Sequence, residues 1–327
     1  MSTTFGLDPA LFAPEAIDAE TAAFNEKLRE TFSKLTPSYE LPPQVTRDAR
    51  ESGAGMFGPV VTVPEAANRE IPSAAGPVTV RIIAPSRPSG VYLDIHGGGW
   101  VFGRAHHSDV ANLRISRNAN VAVVSVDYRL APEYPYPAGP DDCEAAAKWL
   151  IDNAMSEFGT EKIVIGGGSA GAHLAAVTML RMRDRHGYSG FKGANLVFGV
   201  YDVGQTPSSR TFGERHLVLS TQSMAWFGKL YAGQANMTDP DVSPIYAHLE
   251  GMPKALFTVG TLDPLLDDSL FMYGRWVAAG NEAELAIYPG GVHGFTGFPS
   301  PLGKKACERS DAFIALAVSG AVPVLLS

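Results

Sequence analysis

One five-residue turn constrains this chain more than any other feature. Gly167-Gly168-Ser169-Ala170-Gly171 follows an apolar run at 163–165 and precedes the helical pattern that begins with Ala172-His173-Leu174. A G-x-S-x-G turn between a strand and a helix is so sharp that side chains at its glycines would collide with neighbouring elements. It presents its serine at the edge of a sheet, beside a helix N-terminus whose dipole favours negative charge. Ser169 is therefore the candidate nucleophile.

The same stretch allows a second interpretation. Residues 166–171 also satisfy G-x-G-x-x-G, and Asp202 follows the next predicted strand, where a ribose-binding acid could stand. A dinucleotide site, however, gives no role to the glycine loop at His96 or to the glycine-flanked His293. The nucleophile interpretation uses all three segments, and we favour it over both a dinucleotide site and a plain glycine turn.

A run of glycines predicts an oxyanion hole. His96-Gly97-Gly98-Gly99-Trp100 follows the strand-like run 91–95. Consecutive glycines allow backbone N–H groups to point into a site without obstruction by side chains. We predict Gly97, Gly98 and Ala170 as the donors, and His96 as a hydrogen-bonded brace for the loop rather than a catalyst.

A serine nucleophile needs a base and an orienting carboxylate, in the chain order Ser, Asp/Glu, His. Among the eight histidines, His293 lies in a glycine-flanked loop after the last predicted strand, whereas His173 is predicted to pack inside the protein. The other five, which are predicted to be surface or cap residues, are His106, His107, His186, His216 and His248. For the acid we favour Asp263, which follows the strand ending at Val259. The competing carboxylates are Asp267, Asp268 and Asp202.

Short apolar runs alternate with helical patterns from residue 59 onward, which predicts an α/β fold with a mostly parallel, doubly wound sheet. The predicted strands include 78–84, 91–95, 121–126, 162–165, 194–200, 254–259 and 283–288. The predicted helices include 108–118, 140–158, 170–185 and 267–279.

Two segments break the alternation, and we interpret them together as a cap over the sheet, because long excursions between strands usually form lids or binding segments. The predicted division is a first cap part at 1–50, catalytic domain at 51–204 and 239–327, and a cap insertion at 205–238. Apolar residues of this region predict a hydrophobic substrate pocket that favours small uncharged esters. The pocket candidates are Trp100, Tyr201, Phe212 and Trp226.

Composition and sequence patterns argue against several other classes of protein. The net charge of −8, without a basic cluster, argues against nucleic-acid binding. Cys143 and Cys307 are far apart, which indicates neither a disulfide framework nor a metal site. The N-terminus lacks the pattern of a signal peptide, so a cytoplasmic protein is expected. The apolar stretch 313–326 is shorter than a bilayer span and contains Pro323, so we expect a buried C-terminal element and no membrane association.

Taken together, these motifs resemble the bacterial hormone-sensitive lipase family of α/β-hydrolases, the family IV esterases of the alpha/beta hydrolase fold-3 group. The matching residues are 96–100 (the HGGG motif), 127–133, 167–171, 263–265 and 293–295. The resemblance implies an α/β-hydrolase fold with an eight-stranded sheet and a two-part helical cap. It also implies carboxylesterase activity on short to medium acyl chains, no cofactor and, as is frequent in the family, a homodimer. Two positions depart from the family pattern: Gly168, where Asp or Thr is more frequent, and Leu266, where Arg is frequent.

The resulting hypothesis is a serine carboxylesterase that acts on a small-molecule ester through Ser169, His293 and Asp263. Two alternatives remain open. The same residues could cleave a C–N bond in an amidase or arylformamidase, because a triad does not choose the leaving group. The chain could also be a non-catalytic ligand-binding protein on a hydrolase scaffold, although both the serine and the histidine are present.

Overall fold

The computed structural model describes residues 7–55 and 58–320. Its centre is one eight-stranded sheet in the order β1-β2-β4-β3-β5-β6-β7-β8. Strand β2 runs antiparallel to both β1 and β4, and the remaining pairs are parallel. The strands are β1 (Ala67–Ile71), β2 (Val78–Ile83), β3 (Gly90–Ile95), β4 (Val121–Val126), β5 (Ile163–Gly168), β6 (Gly193–Val197), β7 (Ala255–Leu262) and β8 (Ala283–Val292). The predicted fold class is confirmed.

The central strands are apolar because helices cover both faces of the sheet. Every residue of β3 and β4 is buried, as expected for parallel strands enclosed on two sides. Strand β1 differs, since four of its five residues are exposed. Its sequence Ala-Asn-Arg-Glu-Ile lacks an apolar run, and the sequence patterns therefore did not identify it.

The helices divide between the two faces. One face packs Leu93, Ile165 and Leu196 beneath α4, α5 and α8, and the other packs Tyr92 and Val164 beneath α3 and α9. The helices are α1 (Ala19–Phe32), α2 (Pro43–Glu51), α3 (Asp109–Ala119), α4 (Ala138–Phe158), α5 (Ala170–His186), α6 (Pro207–Thr211), α7 (Thr221–Ala232), α8 (Leu266–Ala278) and α9 (Pro301–Ser319).

The C-terminal element begins earlier than the apolar pattern indicates. Helix α9 starts at Pro301 rather than near residue 313, because its first turns are amphipathic, with Lys304 and Lys305 exposed and Cys307 buried. Residues 321–327, with the predicted end of that element and Pro323, lie outside the described residues. Within the described ranges, no helix combines the length and apolar character that crossing a bilayer requires.

Of the two segments that break the α/β alternation, the N-terminal one attaches to the carboxyl ends of strands and the loops that follow them. In α2, Arg47 donates to the carbonyl oxygens of Val101 (2.9 Å) and Ala131 (2.7 Å) and forms an ion pair with Glu133. In α1, the Asn25 amide donates to Gly290 O at 2.8 Å. The N-terminal segment therefore rests on the edge of the sheet where Ser169 lies.

Helix α7 belongs to the second of these segments. It begins at a reciprocal cap, in which Ser220 Oγ accepts from Ser223 N and Ser223 Oγ accepts from Ser220 N. Its residue Tyr231 stacks on Trp100 with ring centroids 4.4 Å apart. The assignment of these segments as a cap, with boundaries at 1–50 and 205–238, stays a prediction.

Candidate active site

Ser169 occupies a strained turn between β5 and α5. Its backbone angles are φ 58° and ψ −123°, a region that residues with a side chain rarely adopt and that costs about 1–3 kcal/mol. The Ser169 N–H donates to Val197 O at 2.9 Å. A Cβ on Gly167 or Gly171 would overlap the carbonyl oxygen of Ile95. The two glycines thus let the turn pass directly against β3, which holds the serine at the end of the sheet.

His293 and Asp263 meet Ser169 from the ends of β8 and β7. His293 Nε2 lies 2.9 Å from Ser169 Oγ, and His293 Nδ1 lies 2.9 Å from Asp263 Oδ2 and 3.1 Å from Oδ1. Asp263 Oδ1 also accepts from Leu265 N at 2.9 Å, which fixes the carboxylate. The Asp263 side chain is fully buried. The structure brings all three predicted residues into one chain of hydrogen bonds, with Nδ1–H directed at the carboxylate and Nε2 at the hydroxyl.

The competing carboxylates have other partners. Asp267 accepts from Ser208 N at 2.8 Å in the first turn of α8. Asp268 is buried and accepts from the N–H groups of Tyr201 (2.7 Å) and Asp202 (2.9 Å), and burial raises its pKa to about 7. Both carboxylates therefore bind the segment that leads into α6 and α7, rather than the imidazole of His293.

The glycine loop passes over the turn at Ser169. A Cβ on Gly97 would lie 2.8 Å from Gly168 O and 3.4 Å from Ser169 Cβ, so the loop backbone approaches the nucleophile closely. Gly98 has φ 112°, which directs its carbonyl away to accept from Phe102 N at 2.8 Å. Within residues 7–55 and 58–320, the N–H groups of Gly97 and Gly98 have no acceptor. Ala170 opens α5, where an N–H has no intrahelical partner. All three groups are available to an incoming oxygen.

Two buried histidines support this loop rather than take part in the triad. The His96 ring stacks on Tyr128 at 4.2 Å, and Tyr128 Oη donates to His96 O at 3.0 Å. His173 Nε2–H donates to Val242 O at 2.8 Å, and its Nδ1 accepts from Trp100 Nε1 at 3.1 Å. Burial lowers the pKa of both imidazoles to about 4, so both are neutral near neutral pH.

A cavity of about 1730 Å³ lies over Ser169 and extends beneath α2. Trp100 lines it, as predicted, together with Phe198 and Phe227. The other three predicted pocket residues lie outside the lining. Tyr201 is fully buried against Phe257, the Phe212 ring lies under Arg215, and Trp226 packs behind Phe102 and Phe227.

Phe227 was missed although the sequence carried a signal for it. Met224, Phe227 and Tyr231 follow one another at helical spacing and are the buried face of α7, whereas Trp226 is one residue out of register. A Cβ on Gly99 would overlap the Phe227 ring, so the glycine loop provides the space that this aromatic side chain fills.

Two histidines predicted to be surface or cap residues lie at the rim of this cavity. His106 Nε2 and His107 Nε2 lie 3.1 Å and 2.8 Å from the carboxylate of Glu51, at the end of α2. The three side chains offer ligand atoms within 4.8 Å of one another, an arrangement that could hold a metal ion. In this structure the same atoms pair with each other and tie α2 to the loop before α3.

Comparisons with known proteins agree with this geometry. A family model described as alpha/beta hydrolase fold matches residues 92–297, and the chain belongs to this family. A carboxylic ester hydrolase, LipN, of Mycobacterium tuberculosis is 33% identical over 80% of this chain and 72% of its own length. Carboxylesterase NlhH of the same species is 34% identical over 66% of this chain and 69% of its own.

Solved structures show the same likeness. A hyperthermophilic esterase from Pyrobaculum calidifontis has a TM-score of 0.82 at 30% identity, covering 90% of this chain and 98% of the esterase. The carboxylesterase EstE1 from a metagenomic library has a TM-score of 0.79 at 33% identity, covering 88% and 100%. The resemblance to the family IV esterases is therefore confirmed, and so is the prediction that the chain is an enzyme of the carboxylic ester hydrolase class.

Proposed function

We propose that the chain is a serine carboxylesterase that hydrolyses short- to medium-chain esters of small molecules through an acyl-enzyme. The observation that carries the proposal is the distance of 2.9 Å from His293 Nε2 to Ser169 Oγ, at a histidine whose other nitrogen faces a buried carboxylate. This is the arrangement in which an imidazole can take the serine proton as the oxygen attacks.

The reaction begins when Ser169 Oγ attacks the ester carbonyl carbon and His293 Nε2 takes the hydroxyl proton. Asp263 stabilises the imidazolium that forms. The carbonyl oxygen becomes an oxyanion, for which the N–H groups of Gly97, Gly98 and Ala170 supply donors. The intermediate collapses as the C–O bond to the alcohol breaks, and the imidazolium gives its proton to that oxygen.

The second half repeats these steps with water. Water attacks the acyl-enzyme carbonyl and loses a proton to His293, and the intermediate releases the carboxylic acid as Ser169 regains its proton. These steps require no cofactor. Removing one pre-aimed donor at the oxyanion costs about 3–4 kcal/mol in comparable sites, so the glycine loop contributes to the rate together with the triad.

Trapping with an organophosphonate tests the assignment of Ser169. We expect one covalent adduct on Ser169, located by mass spectrometry of the digested protein, and loss of hydrolysis of nitrophenyl butyrate. Ser169→Ala should gain no mass and lose about 10⁶-fold in kcat, keeping only the residual catalysis that binding and the oxyanion donors supply. Full activity in that variant, or an adduct elsewhere, contradicts the proposal.

The leaving group and the chain length need separate assays. Matched esters and anilides of the same acid distinguish an esterase from an amidase, because the triad geometry serves either bond. Nitrophenyl butyrate should be hydrolysed faster than the palmitate, which the segments over the cavity hinder. The homodimer and the cytoplasmic location stay predictions, and light scattering of the purified protein measures the first.

A further inference from the structure

The cavity at Ser169 has an inner chamber that the steps above do not use. It lies between the sheet and the α3–α9 layer. Asp94 on β3 pairs in register with Gly166 on β5, and Gly166 pairs with Asn195 on β6. Paired residues of neighbouring strands direct their side chains to the same face of a sheet. Asp94 and Asn195 therefore flank Gly166 on one face, and both line the cavity.

Two glycines of β5 lie between this polar row and the nucleophile, with the Tyr92 hydroxyl against Gly166 and the Phe198 ring against Gly168. On β5, Gly166 and Gly168 are the two residues that face α3 and α9, and Ser169 follows directly. Gly166 is three residues from Ser169, a distance of roughly 10 Å at the rise of a strand. The neighbouring walls of the cavity are apolar, formed by Ile115 and Val197.

The polar groups at the inner end have unused hydrogen-bonding capacity. Asp94 is 8% exposed, and its two hydrogen bonds, from Asn112 Nδ2 (3.1 Å) and Ser125 Oγ (2.7 Å), both end on Oδ2. Asn195 is 4% exposed, and within the described ranges its Oδ1 has no partner. A buried acceptor without a donor costs about 1–3 kcal/mol, which a ligand with a donor would recover.

The unpaired carboxylate of Asp94 also favours a ligand with a hydrogen-bond donor. Among the described residues, no lysine or arginine pairs with Asp94, since the nearby Arg114 binds Asp311 instead. Burial without a compensating cation raises the pKa of Asp94. A hydroxyl or ammonium group that enters the chamber would reach Asp94 Oδ1, which accepts no hydrogen bond from the described residues, beside the Tyr92 hydroxyl that already bonds to Asn195.

We propose that this chamber is a subsite for the acyl arm of the substrate, and that Asp94 and Asn195 select acyl groups with a hydrogen-bond donor, a hydroxyl or an amine, at the end remote from the carbonyl. The proposal rests on the proposed esterase function. We assign the acyl part, rather than the alcohol, to this chamber beneath α3 and α9 because the alcohol must leave while the acyl group is still attached to Ser169. An acyl chain of about six carbons plus one hydrogen bond of about 2.8 Å spans the distance.

Nitrophenyl esters of matched length test the proposal. We compare kcat/KM for hexanoate, 6-hydroxyhexanoate and 6-aminohexanoate, with acetate as a substrate too short to reach the chamber. At least one of the two donor-bearing esters should exceed hexanoate by tenfold or more, and which one does so distinguishes a hydroxyl from an ammonium ligand. Faster turnover of hexanoate than of both would overturn the proposal.

Variants connect any preference to the chamber. Asp94→Asn and Asn195→Leu should each lower the ratio of donor-bearing to plain ester at least threefold, with each rate normalised to the acetate turnover of the same variant. Asp142→Asn is the matched control, because Asp142 is equally buried but lies on the opposite face beside Arg129. Its ratio should equal that of the wild type. An unchanged ratio in both chamber variants would overturn the assignment.

Two further arms keep the result decisive. If a chamber variant does not fold, the wild-type ratios still decide the proposal. The pair 6-hydroxyhexyl acetate and hexyl acetate places the same donor on the alcohol side, and a preference confined to that pair overturns the acyl assignment. Hydrolysis of nitrophenyl acetate by the wild type, and loss of this hydrolysis in Ser169→Ala, tests the esterase function independently of the chamber.

Discussion

Asp263→Asn should reverse the hydrogen-bonding direction of His293. Asp263 Oδ1 accepts from Leu265 N at 2.9 Å, so the amide oxygen of an asparagine would keep that position to satisfy the buried N–H. The amide nitrogen would then face His293 Nδ1, which Asp263 Oδ2 now contacts at 2.9 Å. An Nδ1 that must accept a hydrogen bond leaves the proton on Nε2. Nε2 would donate to Ser169 and could no longer take its proton.

The expected loss follows from the wrong tautomer together with the missing charge. In serine hydrolases of this geometry the corresponding change lowers kcat by about 10⁴, equivalent to about 5.5 kcal/mol of barrier. The assay is kcat/KM on nitrophenyl butyrate, with thermal unfolding to verify the fold. Asp267→Asn is the control, because Asp267 bonds to Ser208 in the same loop region, and its activity should stay within tenfold. Activity of Asp263→Asn within tenfold of wild type would refute the reasoning.

Three further predictions concern stability, each measured by urea unfolding. Gly171→Ala should lower the free energy of unfolding by about 3 kcal/mol or more, because the new Cβ overlaps Ile95 O; a loss below about 1 kcal/mol would contradict this contact. Arg181→Met should cost about 3–5 kcal/mol, because the 3%-exposed guanidinium pairs with Asp241 (2.6 Å) and Glu144 (3.0 Å), and adding Asp241→Asn should restore part of the loss. The free energy of unfolding should also fall as the pH decreases from about 6.5 toward 4, because the unfolded chain binds a proton at His173 that the folded protein excludes until about pH 4. The free energy of unfolding of His173→Gln should decline less steeply over this pH range. An equally steep decline in the variant would contradict the assignment.

The sequence allowed the triad to be predicted because each member has a local signature. Ser169, Asp263 and His293 all follow the carboxyl ends of parallel strands. Ends of parallel strands meet at one edge of a sheet, so a correct strand order is enough to place the three side chains near one another. No long-range packing detail was needed for that step.

The pocket was harder to predict because its lining depends on helix register and on contacts between distant segments. Trp226 and Phe227 are neighbours in sequence, yet only Phe227 reaches the cavity. A rotation of α7 by one residue, about 100°, would exchange them. Strand β1 was missed for a related reason, since an exposed edge strand needs no apolar pattern and is held by pairing with β2.

The position of the N-terminal segment was the least predictable part of this fold. Helix α2 has no buried residues, so its sequence has no apolar face from which its docking position could be predicted. Its position instead depends on polar contacts, mainly those of Arg47 with Val101 O and Ala131 O and those of Glu51 with His107. Directional bonds of this kind fix the segment only when their partners are already in place, and these partners lie in loops shaped by the sheet. The position of this cavity wall therefore depends on the fold as a whole, whereas the position of each reacting group depends on the strand that precedes it.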